Sequence, residues 1–493
     1  LVGAGYKITV HQEDSNVAVD NDAIISGDLD LEIQTNGATT LDLAGTSGNF
    51  RDVIINDAAC EATLLSATTI GRNLTITAGE LDTDSSSNYS LTVTGKTTIG
   101  PNSGSADQAT LTCNGSTMSL GSTKTDGLGL HVQQGGTFVG GSGTHTMGSL
   151  AVDNNAAAKF TNTSGVNTLN GHSNDSTRVI IGGALSTCTA AGTITITYAG
   201  GGYNFQNGNA ALINNLTLNS NVTANLSAAT LITGNLTISQ GTLTTTGSDY
   251  ALTVTGDASV TGTLTCNASA VSVRSLNIES GGTVTAPTAS GSLTITGFSA
   301  TGDPVIFANK SGGTFTHSSG TVTVTTAANS KWIYDIGSGN LNNLTLNYSG
   351  NTNELAAGIT IDGNLTITAG TLSTGSDYAL TVTGSTTLTG TLNLNGSTAS
   401  FNSGATAGGV ILGTAGYING DADSTVTMGS IRATDTGNRG VSLAGTNTIN
   451  KYAATDDNII NLMDGTVDGT TLFTVTTTDA KALRFKIIRL QLL

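Results

Sequence analysis

The chain has 493 residues, a formal net charge of −17 from 34 acidic and 17 basic side chains, 37% hydrophobic residues, 65 glycines, three prolines and one tryptophan. The acidic balance excludes the basic face that nucleic-acid phosphates need, so no nucleic-acid partner is expected. The apolar fraction, set in alternation, argues against disorder, and the scarcity of bulky anchors leaves any interior to small aliphatics.

At the N-terminus, Leu1-Val2-Gly3-Ala4-Gly5 lacks the basic start and apolar core of a secretion signal, and there is no initiator Met. The chain therefore reads as a mature, processed or truncated form, and no compartment follows from its start. Residues 1–36 are expected to form a cap or adapter. Within them Asp28-Leu29-Asp30-Leu31-Glu32 alternates, which places three carboxylates on one strand face. The expectation is a solvated face, with weak Ca²⁺ coordination through oxygens as the alternative.

Beyond residue 36 the chain repeats itself. Ser248-Asp249-Tyr250-Ala251-Leu252-Thr253-Val254-Thr255-Gly256 recurs unchanged as Ser376 to Gly384, with a looser copy at Asn88 to Gly95. Gly234-Asn235-Leu236-Thr237-Ile238 matches Gly363 to Ile367 and, less closely, Gly71 to Ile76. Asn214 to Asn219 matches Asn342 to Asn347. These matches keep one order, and they divide the chain into repeats over 37–191, 192–319 and 320–449, with a distinct segment over 450–493.

Each copy carries Leu-Thr-Ile-Thr or Leu-Thr-Val-Thr, the period-two alternation of a half-buried strand, rich in β-branched residues. The runs end in Gly, Asn, Asp or Ser, which tolerate the positive φ of tight corners. Helix is expected to be nearly absent. Hairpin sandwiches and barrels fit the strand spacing, but regular two-residue Asn-Gly loops are missing. The expected fold is an all-β, elongated, parallel β-helix or β-solenoid. With roughly 20 to 25 residues per coil and ~4.8 Å per coil, it would make a rod of about 100 Å.

Candidate chemistry is sparse. Cys113 and Cys266 occupy one repeat position, which Leu394 fills in the third copy, so both are expected to point inward as small hydrophobes. Cys60 and Cys188 are isolated, and no zinc-ligand spacing occurs. His11, His131, His145, His172 and His317 are scattered; Thr144-His145-Thr146 and Thr316-His317-Ser318 suggest solvent-facing rings. Asp456-Asp457 and Asp421-Ala422-Asp423 are further acidic sets, and glycoside cleavage would need two such carboxylates to converge. Tyr203-Asn204-Phe205 and Trp332-Ile333-Tyr334 read as core or a lateral lid, with sugar stacking as the alternative. Asn-Leu-Thr at Asn73, Asn215, Asn235, Asn343 and Asn364 is formally a glycosylation sequon, and is read here as stacked corner amides. Lys481, Arg484, Lys486 and Arg489 make a basic tail, expected to be a closing strand or a docking strand for an acidic neighbouring subunit. Its apolar run is far short of a membrane span. No catalytic, cofactor or metal residues are assigned.

The unit Gly363-Asn364-Leu365-Thr366-Ile367-Thr368-Ala369-Gly370-Thr371-Leu372, followed by Tyr378 to Gly384, resembles the repeats of large β-solenoid proteins: bacterial surface adhesins, and bacteriophage fibres and appendages. Polygalacturonase-like enzymes share the solenoid, but their Asn-Thr-Asp and Gly-His-Gly signatures are missing; only Asp456-Asp457 and Arg484-Phe485-Lys486 echo them. The resemblance implies a non-enzymatic fibre or filament, extracellular or on a virion, that self-associates and meets a cell-surface glycan or host receptor. A polysaccharide depolymerase and a Ca²⁺-dependent adhesin module are the alternatives.

Overall fold

The computed structural model describes residues 2–12, 17–20, 26–44, 48–105, 107–121, 129–172, 178–245, 248–299, 305–326, 331–335, 340–401, 409–433, 440–450, 460–463, 466–467, 473–476 and 485–487. Among them there is no helix, and strand pairs with strand in parallel, coil upon coil: a parallel β-solenoid. The chain divides into two compact units, Leu1–Thr255 and Gly256–Leu493.

In the first unit, one wall stacks Thr68–Ile70, Leu91–Val93, Met118–Leu120, His145–Met147, Val166–Leu169 and Thr193–Ile196. Its inward rank is Ile70, Val93, Leu120, Met147, Leu169 and Ile196, each at most 1% exposed. Its outward rank is hydroxylic. Thr69 lies against Thr92, Thr92 against Ser119, and Ser119 against Thr146. The rank continues through Thr168, Thr195, Thr217 and Thr237 with no register shift. Alternation in sequence thus becomes two parallel columns, because successive strand side chains point to opposite faces.

The other walls are linked through long bent strands. Asp52–Leu64 pairs with Asn73–Asp82 twice, and the register jumps between Asn56 and Glu61, where the strand turns a corner. The same jump falls between Asn219 and Thr223 of Asn215–Leu226 in the first unit, and between Asn347 and Thr352 of Asn343–Leu355 in the second. Coil length varies. Bonded neighbours lie 20 residues apart at Asn215 and Asn235, but 33 apart at Thr83 and Ser116, where corner excursions lengthen the coil.

In the second unit, Ser292–Ile295, Thr321–Val324, Asn343–Leu355, Leu365–Ser373 and Ser385–Leu388 stack in one wall. Ile359–Ile361, Leu380–Val382, Thr398–Phe401, Thr425–Met428, Thr446–Asn450 and Phe473–Thr476 form a separate six-stranded sheet. Phe485–Ile487 pairs with Ile460–Met463, so the C-terminal segment does contribute a strand. Lys481, Arg484 and Arg489 lie outside the described residues, as does the Lys486 side chain.

Several sequence expectations hold. Cys113, Cys266 and Leu394 are all 0% exposed, and neither cysteine is in a disulfide. The corner that follows them is left-handed each time, at Asn114 (φ 49), Asn267 (φ 49) and Asn395 (φ 46), a conformation Asn accepts more readily than most residues. Tyr203 and Phe205 are buried in the core. The side chains of Trp332 and Tyr334 lie outside the described residues.

Two expectations are corrected. His145 is fully buried, not solvent-facing, with Nε2 against the Gly140 carbonyl oxygen at 2.7 Å and its ring edge-on to Phe138. The apolar Met147 must face the core, so Thr146 points out and His145 in. Asn73, Asn215, Asn343 and Asn364 of the Asn-Leu-Thr set are not joined in an amide ladder. Instead, in these four of the five, the side-chain oxygen accepts a backbone N–H of the next coil: Asn73 from Lys96, Asn215 from Asn235, Asn343 from Asn364 and Asn364 from Ser385, at 2.8–3.0 Å. The acceptor sits at the corner, where the strand ladder has not yet begun and the N–H needs another partner.

Candidate functional site

The densest titratable cluster lies on the first coils. Arg51 donates to Asp30 through two arms, Nε to Oδ1 at 2.8 Å and Nη2 to Oδ2 at 2.6 Å, and its Nη1 is 3.2 Å from Asp28. One coil on, Arg72 grips Asp52 in the same way, with Nε to Oδ1 at 2.8 Å. Glu32 is 6% exposed and is held by Lys7, by Gln34 Nε2 at 2.7 Å and by Asn56 Nδ2 at 3.2 Å.

These contacts correct the expectation of a solvated acidic face for Asp30 and Glu32, while Asp28 stays exposed. A parallel stack sets each outward acid one rung from the next coil's side chains, and here those are cations or amides. The Arg51 guanidinium holds the Asp30 carboxyl below its ordinary range against the opposing effect of burial. Lys7 does the same for Glu32. The oxygens that would coordinate Ca²⁺ are therefore engaged by the protein's own cations. Among the described residues no group of three or more His, Cys, Asp or Glu is arranged to hold a metal.

Other acids are also tied. Burial opposes ionisation of Asp257, but Arg274 Nε and Nη2 at 2.9 and 2.7 Å and Ser275 Oγ at 2.7 Å outweigh it, and the carboxyl sits low. His131 Nε2 lies 2.7 Å from Asp153 Oδ1, and that bond lowers the Asp153 carboxyl. Burial pushes the nearby Lys96 ammonium down. His317 Nε2 is 3.2 Å from Asp362, while its Nδ1 accepts the Ser319 backbone N–H at 3.2 Å. That second bond occupies the ring nitrogen a serine nucleophile would need, so the pair is not part of a catalytic triad. His11 is exposed, and His172 packs edge-on against Tyr198. Asp421 and Asp423 are exposed in a turn, and Asp456-Asp457 lies outside the described residues.

A hollow of about 160 Å³ in the first unit is lined by Gly208, Asn209, Ala210, Ala229, Thr230 and Leu231, among others, with no titratable side chain. The acid–arginine pairs were missed in the sequence, although a signal existed: Asp30 and Arg51 are 21 residues apart, and Asp52 and Arg72 are 20, one coil in each case. No protein-family model matches this chain, and no curated protein is significantly similar to it.

Proposed function

We propose that this chain is a non-enzymatic structural fibre protein, extracellular or virion-associated, that assembles with further copies and presents its outer faces to a surface glycan or receptor. One observation carries the reading. Each described carboxyl whose titration the fold shifts is shifted down: Asp30, Glu32, Asp84, Asp107, Asp153 and Asp257. Glycoside cleavage needs one carboxyl raised, so that it can donate a proton near neutral pH. Here the perturbed acids act as anions: Asp84 closes its own turn on Ser86, and the other five tie coil to coil. Asp107 spans two coils to reach Lys159 Nζ at 2.6 Å.

A polysaccharide depolymerase on the same fold is the competing reading. Incubating the full chain with capsular and pectin-like polysaccharides and assaying new reducing ends separates the two. The fibre reading expects none. Release of reducing ends that is lost on replacing outward acids would overturn it.

A further inference from the structure

The hydroxyl rank from Thr69 to Thr237 crosses eight rungs of the first unit in continuous register. In the described residues, the positions two before and two after it in each rung hold Thr, Ser, Asn, Gly, Ala or Val; none is charged, and all but the buried Gly121 and Gly148 are exposed or half-buried. Thr117, Thr144, Val166 and Thr193 make a second exposed or half-buried rank beside the first. A neighbouring wall differs sharply: Glu61 stacks directly on Glu80, and Asp82 lies two residues further on. A molecule of net charge −17 thus has one long face whose described residues carry no charge.

We propose that this face is where two copies of the chain pack side by side, an inference that rests on the fibre reading and names its contact surface. Elsewhere two such acidic molecules repel; here they meet without desolvating an ion. A threonine hydroxyl both donates and accepts, so the face is complementary to itself, as a two-fold contact requires. Its β-branched side chains are stiff and lose little freedom on packing. Eight rungs at ~4.8 Å and three positions at ~6.7 Å, less the two buried glycines, cover about 700 Å², near the roughly 800 Å² per partner of a stable interface.

Sedimentation velocity on the full chain over a micromolar concentration series tests this. Wild type should dimerise, and more tightly as salt screens the repulsion. Thr146→Lys or Thr195→Lys, each placing like charges across the two-fold, should weaken association by roughly a hundredfold. Thr146→Val, which keeps the shape, should stay within about tenfold. Circular dichroism checks that each variant folds, and either lysine variant suffices if the other does not. A monomeric wild type overturns the proposal, as does unchanged association in a folded lysine variant. So does retention of monomer on an insoluble neutral glucan that Thr146→Lys abolishes, which would give the face to a glycan. None of these results bears on the reducing-end assay, so the non-enzymatic part of the fibre reading stands or falls separately.

Discussion

Replacing Leu120 by Ala tests whether the interior behaves as a one-dimensional stack. Leu120 is 0% exposed and sits in register between Val93 and Met147. Removing three buried carbons costs about 2.4 kcal/mol in transfer, and the cavity adds to it, giving about 3 kcal/mol or more. In a stack this loss falls on the affected coil and its two neighbours, since more distant coils share no contact with it. Amide exchange followed by mass spectrometry should therefore accelerate roughly a hundredfold over 91–93, 118–120 and 145–147. The strands Leu31 to Ile33 and Val53 to Ile55, several coils away, should exchange as in wild type. Equal acceleration throughout the first unit would refute the reasoning, because it would mean one cooperative core.

Three more outcomes are expected. The buried, neutral His145 ring titrates below its ordinary value, chiefly through burial, so the unfolded chain takes up its proton first as pH falls. Stability should be full above about pH 6.5 and decline below it, and His145→Met should flatten that part of a melting-temperature profile. Asp30 and Glu32 titrate below their ordinary values, so their contribution is present above about pH 4 and lost as pH falls through the lower folded values. Arg51→Met should remove most of the Asp30 share, so residues 29–33 should exchange faster at neutral pH and lose less further protection as the pH falls; an unchanged profile would show that the pair contributes nothing. At Gly141 (φ +65) an added Cβ would meet the Asn114 oxygen at 1.7 Å, whereas at Gly202 the nearest atom is 3.6 Å away. Gly141→Ala should cost about 3 kcal/mol or more, and Gly202→Ala within about 0.5 kcal/mol, measured by denaturant unfolding.

Much of this molecule is determined by sequence alone, because its determinants are local. Period-two alternation makes Leu-Thr-Ile-Thr a strand with Leu and Ile inward. Asn after Leu-Thr-Cys or Leu-Asn-Leu makes a left-handed corner, as at Asn114, Asn267 and Asn395. Equivalence of Cys113 and Cys266 with Leu394 correctly places two thiols in the core. His145 shows the limit: three consecutive polar residues leave the phase of alternation open, and only the burial of Met147 decides it.

What the tertiary structure alone decides is who meets whom along the stack. Bonded neighbours on successive coils lie from 17 to 33 residues apart, depending on the corners between them, so no single period pairs Asp30 with Arg51, Asp257 with Arg274, and Asn343 with the N–H of Asn364. A contact between coils needs register over a whole circuit of the chain, and each corner can shift that register by a residue or more without disturbing the strand on either side. For the same reason Asp30 and Glu32 look solvated in the sequence and are paired in the fold, and eight scattered hydroxyls become one rank.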